Sequence, residues 1–453
     1  MNDIKDIQNI ISEIKGRLST VLYSKNLEFA VVRLLFLKYV IDNYIGATTV
    51  DNMQLCARAQ KMFAMRDVEN GMDIIVPVLK YIDESYGFEN ILSNYDNLDE
   101  YARELFGENQ TRQRKNVVSD DFKTVMDVLG SIDLEERNDG KTLGKMLTEV
   151  LIDNINVNAY RNSFSGECTT RPNLSKLASR LLLVESNEVF LDFASGIGLS
   201  TVEITKKTMP KIINAEINSG TLAISAMLYI MYGYKSVKLI CGDSLTDVIE
   251  GASGDKIFVD VPLGARLRKS ETNEYTESSL AAIYRILHNY LSENSKSVAV
   301  IAIPSSPLFT IKKQNVELRK ELLSKGLLKA VIALPPMWRG SSVGTNLLVI
   351  SRERNETVML VNASETSATS REKLTDISGE VLLSEDKIDS IVRAVNCGEI
   401  IEGFSTVVTA EDIAAKDYNF VPATYIVVND EEDSMTLAEI DSKLKILYDK
   451  LLD

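Results

Sequence analysis

The chain opens with apolar residues spaced by three and four, Ile7, Ile10, Ile11, Ile14, Leu18, Val21 and Leu22, which puts them on one face of a helix. The next apolar stretch, Phe29 to Val40, is hydrophobic nearly all round and predicts a helix buried in the middle of a bundle. Further helices are predicted near Ile74–Glu84, Asn97–Phe106 and Gly144–Asn154, so residues 1–155 read as an N-terminal all-α domain. After Phe164-Ser165-Gly166 the texture changes to short β-branched runs between helical stretches, the pattern of a parallel sheet covered on both faces. Strands are predicted at Val189–Phe193, Lys211–Glu216, Val237–Cys241, Lys256–Val259, Ser297–Ile303, Leu328–Leu334 and Leu347–Ser351. Residues 160–428 therefore read as a doubly wound α/β domain. A polar loop follows at Ser364–Arg371 and an acidic linker at Asn429–Ser434. Residues 435–453 form a last predicted helix, whose Leu437, Ile440, Leu444, Leu447 and Leu451 suit packing within the chain or against a partner.

Composition narrows the chemistry. With 453 residues, 45% hydrophobic and 25% charged, the chain has the balance of a globular protein, which excludes disordered and collagen-like classes. Four scattered cysteines without C-x-x-C spacing argue against a zinc site or a disulfide scaffold and make a reducing cytoplasm the expected compartment. No basic leader precedes an apolar core at the start, and no apolar run reaches about 18 residues, so no membrane association is expected. One histidine, His288, leaves little room for histidine-based nucleophilic or metal catalysis, and no metal is expected. Carboxylates, backbone or a cofactor must carry the chemistry. Fifty basic against 65 acidic residues give a net charge of −15, so any nucleic-acid contact must come from a local patch or a basic partner.

The candidate site begins at Asp192-Phe193-Ala194-Ser195-Gly196-Ile197-Gly198, which ends a predicted strand and opens a helix. Glycines here let a ligand approach the backbone. A dinucleotide fingerprint wants a third glycine where this chain has Thr201, which disfavours a nicotinamide-dependent oxidoreductase. Asp192 instead heads the turn and is able to bind a cationic amino group. Glu216 ends the next strand, where a carboxylate can take both hydroxyls of a ribose, and Asp243 ends the third, where it can meet an adenine edge. The glycine pair by itself favours a plain tight turn. Acidic residues at three successive strand ends favour a nucleoside cofactor.

This order and spacing resemble the γ-type N6-adenine DNA methyltransferases, in particular the modification (HsdM-like) subunit of type I restriction-modification systems. The similarity covers nearly the whole chain, from Leu34–Tyr39 in the helical domain to the Tyr418–Tyr425 box. Ser165–Pro172 looks like the family's G-x-F-Y-T-P element, Ala215–Asn218 like its second-strand pattern, and Ala330–Pro335 with Gly344–Val349 like its paired late strands. The resemblance implies a Rossmann-like fold that binds S-adenosyl-L-methionine (SAM). It places Thr169, Thr170, Asp192, Ala194, Gly196, Gly198, Glu216, Ile217, Asp243 and Ser244 around that cofactor, and implies methyl transfer to adenine in duplex DNA. It also implies a specificity subunit and a restriction subunit as partners.

One departure leaves an alternative open. Where the family has Asn-Pro-Pro followed by Phe or Tyr, this chain has Asp260-Val261-Pro262-Leu263. Asp260 can accept from the adenine amine as well as an amide oxygen can, and Pro262 remains, but Leu263 cannot stack on a flipped base. The second reading is a methylase-fold scaffold, impaired in transfer, that serves DNA binding or assembly. Arg266, Arg268 and Lys269 follow this loop and suit phosphate contact. The basic stretch from Lys312 to Lys329 is either another phosphate contact or a solvated helix face. Trp338 is either a stacking ring or a loop anchor, and His288 a surface or packed side chain.

Overall fold

The computed structural model describes residues 4–19, 27–43, 54–55, 57–61, 72–106, 124–136, 143–161, 169–261, 265–269, 273–335, 343–364 and 383–426. The acidic linker, the C-terminal heptads, Trp338, Ser165–Cys168 and the Pro262-Leu263 pair lie outside the described residues.

The first helix, α1 (Ile4–Leu18), buries Ile7, Ile11, Ile14 and Leu18, the stripe its spacing predicts. The second, α2 (Leu27–Asn43), is buried almost all round. Its two central cations are satisfied inside the protein: Arg33 Nε donates to Asn97 Oδ1 at 3.2 Å, and Lys38 pairs with Asp42 at 2.6 Å. Three longer helices follow, α3 (Met72–Tyr86), α4 (Tyr95–Phe106) and α5 (Leu143–Arg161), with shorter helical stretches over residues 57–61 and 124–131. Residues near 74, 97 and 144 thus fall in the predicted helices, each extended by a turn or less at its ends, except α5, which continues to Arg161.

After α6 (Pro172–Leu182) come β1 (Val189–Asp192), α7 (Leu199–Thr205), β2 (Lys211–Glu216), α8 (Ser219–Tyr232), β3 (Val237–Cys241) and β4 (Lys256–Asp260). Next are α9 (Ser278–Arg285), continued by a π-turn to Tyr290, then β5 (Val298–Pro304), α10 (Lys313–Ser324), β6 (Leu328–Ala333), β7 (Thr345–Ser351) and β8 (Thr357–Asn362). The described chain ends with α11 (Glu385–Cys397), β9 (Ser405–Thr409), α12 (Ala410–Ala414) and a short 3₁₀ turn. The sheet order is β3-β2-β1-β4-β5-β7-β6-β8-β9.

Two features depart from the predicted all-parallel, seven-stranded sheet. Strand β7 runs antiparallel to both neighbours, and β8 and β9 extend the sheet at its far edge. A continuous apolar run such as Leu347–Ile350 reports burial on both faces but carries no information on direction. Strand β9 is half-exposed and short, so its pattern is weak.

Alternation along the strands divides the core. Phe190, Phe258 and Val300 face α6 and α11, whereas Leu191, Ile257 and Ile301 face the layer with α9 and α10. Helix α8 is covered in turn by the helical region, and one continuous cluster runs from Ile7 through Leu34 and Leu151 to Tyr229. The helices therefore form a third layer over α8, close to the C-terminal ends of β1 and β2. No helix among the described residues is long and apolar enough to cross a membrane.

Candidate active site

The C-terminal ends of β1 to β4 open into one cavity of about 420 Å³, within the size range of nucleoside-type ligands. The turn after β1 forms its floor. Gly196 and Gly198 have φ of 53° and 77°, left-handed values that suit glycine. A Cβ on Gly196 would meet nothing within 4 Å, whereas one on Gly198 would lie 2.0 Å from the Tyr229 hydroxyl. That hydroxyl receives Asn214 Nδ2 at 2.5 Å, and Asn214 also donates to Thr201 Oγ1 at 2.9 Å. The residue that breaks the dinucleotide fingerprint, Thr201, is thus part of the buried support under the turn.

Glu216 organises the turn from β2. Its Oε2 accepts the Gly196 N–H and its Oε1 the Asn218 N–H, both at 2.9 Å. An ionised carboxylate has about four acceptor sites, so each oxygen can still receive a ligand hydroxyl. Asp243 Oδ1 accepts the Leu245 and Thr246 N–H groups at 3.1 and 3.2 Å, and the Ser244 hydroxyl donates to the Phe193 carbonyl. Thr169, Thr170, Ala194, Gly196, Glu216, Ile217, Asp243, Ser244 and Asp260 all line the cavity. The Ser195 Oγ beside them is buried without a partner among the described residues.

Asp192 lies elsewhere. It is 1% exposed and is absent from the cavity wall; its carboxylate turns under the loop, accepting the Ala194 N–H at 3.1 Å and facing the Ser200 hydroxyl at 3.5 Å. Burial pushes its pKa up to about 8, reinforced by Asp260 and Glu216 and opposed by the Ala194 and Ser200 bonds. Gly198 likewise supports the turn from behind instead of lining the cavity. Burial also raises Asp260, to about 6, against the Thr170 hydroxyl bond that lowers it. Near neutrality Asp260 is therefore an ionised acceptor close to its titration point.

The Asp260 loop continues, beyond Pro262 and Leu263, into residues 265–269. There Leu267 N–H donates to the Thr276 carbonyl at 2.9 Å, and the backbone of Arg266 pairs antiparallel with that of Glu277. Ala265 and Leu267 face the cavity, while Arg266 and Lys269 are exposed. The basic stretch after residue 311 is different: Lys312 pairs with Glu277, Lys313 with Glu317 and Lys325 with Glu321. Arg319 is buried and donates to the carbonyls of Tyr418, Pro307 and Thr310. His288 Nε2 meets Glu321 at 3.1 Å and its ring stands 4.4 Å from that of Tyr284, outside the cavity.

Four lining residues had no signal in the sequence. Glu28, Phe29 and Ile155 come from α2 and α5, and Thr221 from the first turn of α8. Glu28 and Phe29, more than 150 positions from the glycine turn, and Ile155, about 40 from it, are brought there only by the packing of the helical layer.

A family model described as N-6 DNA Methylase matches residues 138–434. The chain is 25% identical over 334 residues to the type I restriction enzyme MjaVIII methylase subunit of Methanocaldococcus jannaschii, covering 66% of this chain and 56% of that protein. It is 30% identical over 164 residues to the MjaVII methylase subunit of the same organism, 34% of this chain and 28% of that one. The chain thus spans little more than half the length of one of these relatives and about a quarter of the other. Among solved structures, a type I restriction-modification methyltransferase subunit from Streptococcus thermophilus superposes with a TM-score of 0.68 at 18% identity, covering 94% of this chain and all of that one. At that identity the likeness concerns the fold.

Proposed function

The chain belongs to the N-6 DNA methylase family, and from that premise we propose that it is the modification subunit of a type I restriction-modification-like system, transferring a methyl group from SAM to the exocyclic amine of adenine in duplex DNA. The observation that carries this reading is the joint placement of Glu216, Asp243, the Gly196 turn and Asp260 on one cavity.

The residues fit the cofactor. The open space over Gly196 admits a close backbone approach, Glu216 keeps acceptor capacity on both oxygens, Asp243 stands at the adenine end, and the acidic wall suits a cation. SAM supplies a methyl group on a positively charged sulfur, already activated for displacement. What this chain must do is position. Asp260, held by the Thr170 hydroxyl, accepts a hydrogen bond from the target amine and orients its lone pair. Arg266, Arg268 and Lys269, next to that loop, meet phosphates of the duplex. Base selection is assigned to a specificity subunit, in keeping with the net charge of −15. Another structural neighbour, with a TM-score of 0.67, is described in terms of complex assembly of a type I system.

The test is methylation of duplex DNA by the complex that contains this chain, with wild type compared to Asp260→Ala. Asp260→Ala is expected to lose roughly 100- to 1,000-fold in rate, the usual loss for a positioned transition-state hydrogen bond, while keeping SAM affinity within about threefold. The wild-type rate should fall as pH drops through about 6, because protonated Asp260 no longer offers both oxygens as acceptors. Equal methylation by both proteins removes Asp260 from the reaction, whereas none by either with SAM bound moves the assignment to the scaffold reading that Leu263 keeps open.

A further inference from the structure

Glu28 is the carboxylate least expected at this cavity. It sits in the first turn of α2, is 7% exposed, and lines the cavity with Phe29. Lys15 Nζ holds its Oε1 at 3.1 Å, while its Oε2 is buried with no hydrogen-bond partner among the described residues. A buried carboxylate oxygen is seldom left without a donor in a finished site.

The position of this wall follows from how α2 meets α5. Glu136 Oε1 accepts both the Tyr39 hydroxyl at 2.9 Å and the Gly144 N–H at 2.8 Å, fixing the far end of α2 against the near end of α5. Glu28 lies as far before Tyr39 as Ile155 lies after Gly144, about 16 Å of helix in each case, and both residues line the cavity. Ile152 and Asn156, flanking Ile155, border a smaller crevice with Thr170 and Leu199. Thr170 is the residue that bonds Asp260. Glu28 therefore stands on the side of the cavity nearer the reaction centre, away from the adenine end marked by Asp243.

The other carboxylates have roles in the reading above: Glu216 and Asp243 organise backbone at the ends of β2 and β3 and their remaining acceptor sites are assigned to the nucleoside, Asp260 is assigned to the target amine, and Asp192 is turned beneath the loop, off the cavity wall. A ligand whose amino-acid half carries an ammonium group needs an ionised acceptor on the Thr170 side. We propose that Glu28 is that acceptor: the helical domain supplies the counter-charge for the α-amino group of SAM, and Lys15 steers its carboxylate. This rests on the cofactor reading above. It makes the helical layer part of the cofactor site and assigns to Glu28 the role that spacing had suggested for Asp192.

Calorimetry on the full chain distinguishes these roles, using S-adenosylhomocysteine, which carries the ammonium, and 5′-methylthioadenosine, which has the same nucleoside without the amino-acid half. Glu28→Gln keeps the shape and removes the charge. It is expected to weaken S-adenosylhomocysteine about 10- to 100-fold, as for loss of a charge-assisted hydrogen bond, and to change 5′-methylthioadenosine less than about twofold. Glu28→Asp, which keeps the charge but shortens the reach, should show a smaller loss with the same selectivity. Thermal melting of each variant checks that the fold survives. Unchanged binding of S-adenosylhomocysteine, or an equal loss of both ligands by a folded variant, overturns the assignment. Wild-type protein that binds neither ligand overturns the cofactor reading itself, and the role of Glu28 with it.

Discussion

The two halves of the sheet's C-terminal rim are built by opposite means. At β1 to β3 the carboxylates bind the protein's own backbone: Glu216 holds the Gly196 and Asn218 N–H groups, Asp243 those of Leu245 and Thr246, and Asp192 that of Ala194. At β4, Asp260 takes a bond from the Thr170 hydroxyl and binds no backbone N–H among the described residues, and burial raises its pKa to about 6. The first half is a mould set before any ligand arrives, as suits a cofactor of fixed shape. The second is a single poised acceptor beside exposed basic residues, as suits a base flipped in from a duplex.

The sharpest test of that contrast is the glycine turn. Gly198→Ala must place a Cβ 2.0 Å from the Tyr229 hydroxyl at φ 77°. Tyr229 is fully buried and tied to Asn214. A destabilisation of roughly 3 kcal/mol, with cofactor binding lost, is expected from overpacking combined with left-handed strain. Gly196→Ala has the same sign of φ but open space around it, and should cost about 1 kcal/mol. Denaturant unfolding of the two variants decides the matter. If they fall equally, the turn is not braced by Tyr229 and the first half is less rigid than its hydrogen bonds imply.

A smaller effect separates the halves by ligand. Glu216→Ala removes an acceptor from the cofactor side and releases the Gly196 and Asn218 N–H groups, so SAM affinity should drop by about 1–3 kcal/mol. Binding of duplex DNA to the same protein should be unchanged. Calorimetry with each ligand in turn checks both statements. A parallel loss of DNA affinity would mean that the two halves are mechanically one unit.

These distinctions were legible in the sequence to different depths. The strand positions from Val189 to Ser351 could be read because β-branched runs bounded by turns encode burial, but the reversal of β7 could not, since an apolar run reads the same in either direction. The acidic rim could be read because consecutive parallel strands deliver their C-terminal residues to one edge. Which way each carboxylate turns was hidden: Asp192 and Glu216 occupy equivalent strand ends, yet one is buried under the loop and the other lines the cavity. Glu28 was hidden more deeply, because its place at the site depends on the tertiary packing of α2 against α5. No spacing within one segment records that contact.

The least effect belongs to the basic residues beside Asp260, and it bears on where the duplex runs. Arg266 is exposed, on a segment whose backbone is pinned to residues 276–278 and whose neighbours Ala265 and Leu267 line the cavity. Lys312, further along that face, already pairs with Glu277 at 3.2 Å. Neutralising a true phosphate contact lowers the slope of log affinity against log salt by about 0.9. Arg266→Ala should therefore flatten the salt dependence of DNA binding by about that amount and weaken binding only a few-fold at moderate salt. Lys312→Ala should do less, because an already paired lysine has less charge to offer. Titrations of duplex DNA at several salt concentrations give both slopes. If Lys312→Ala flattens the slope more than Arg266→Ala, the duplex crosses the α10 face and not the mouth of the Asp260 loop, and the poised half of the rim is not where the polymer enters.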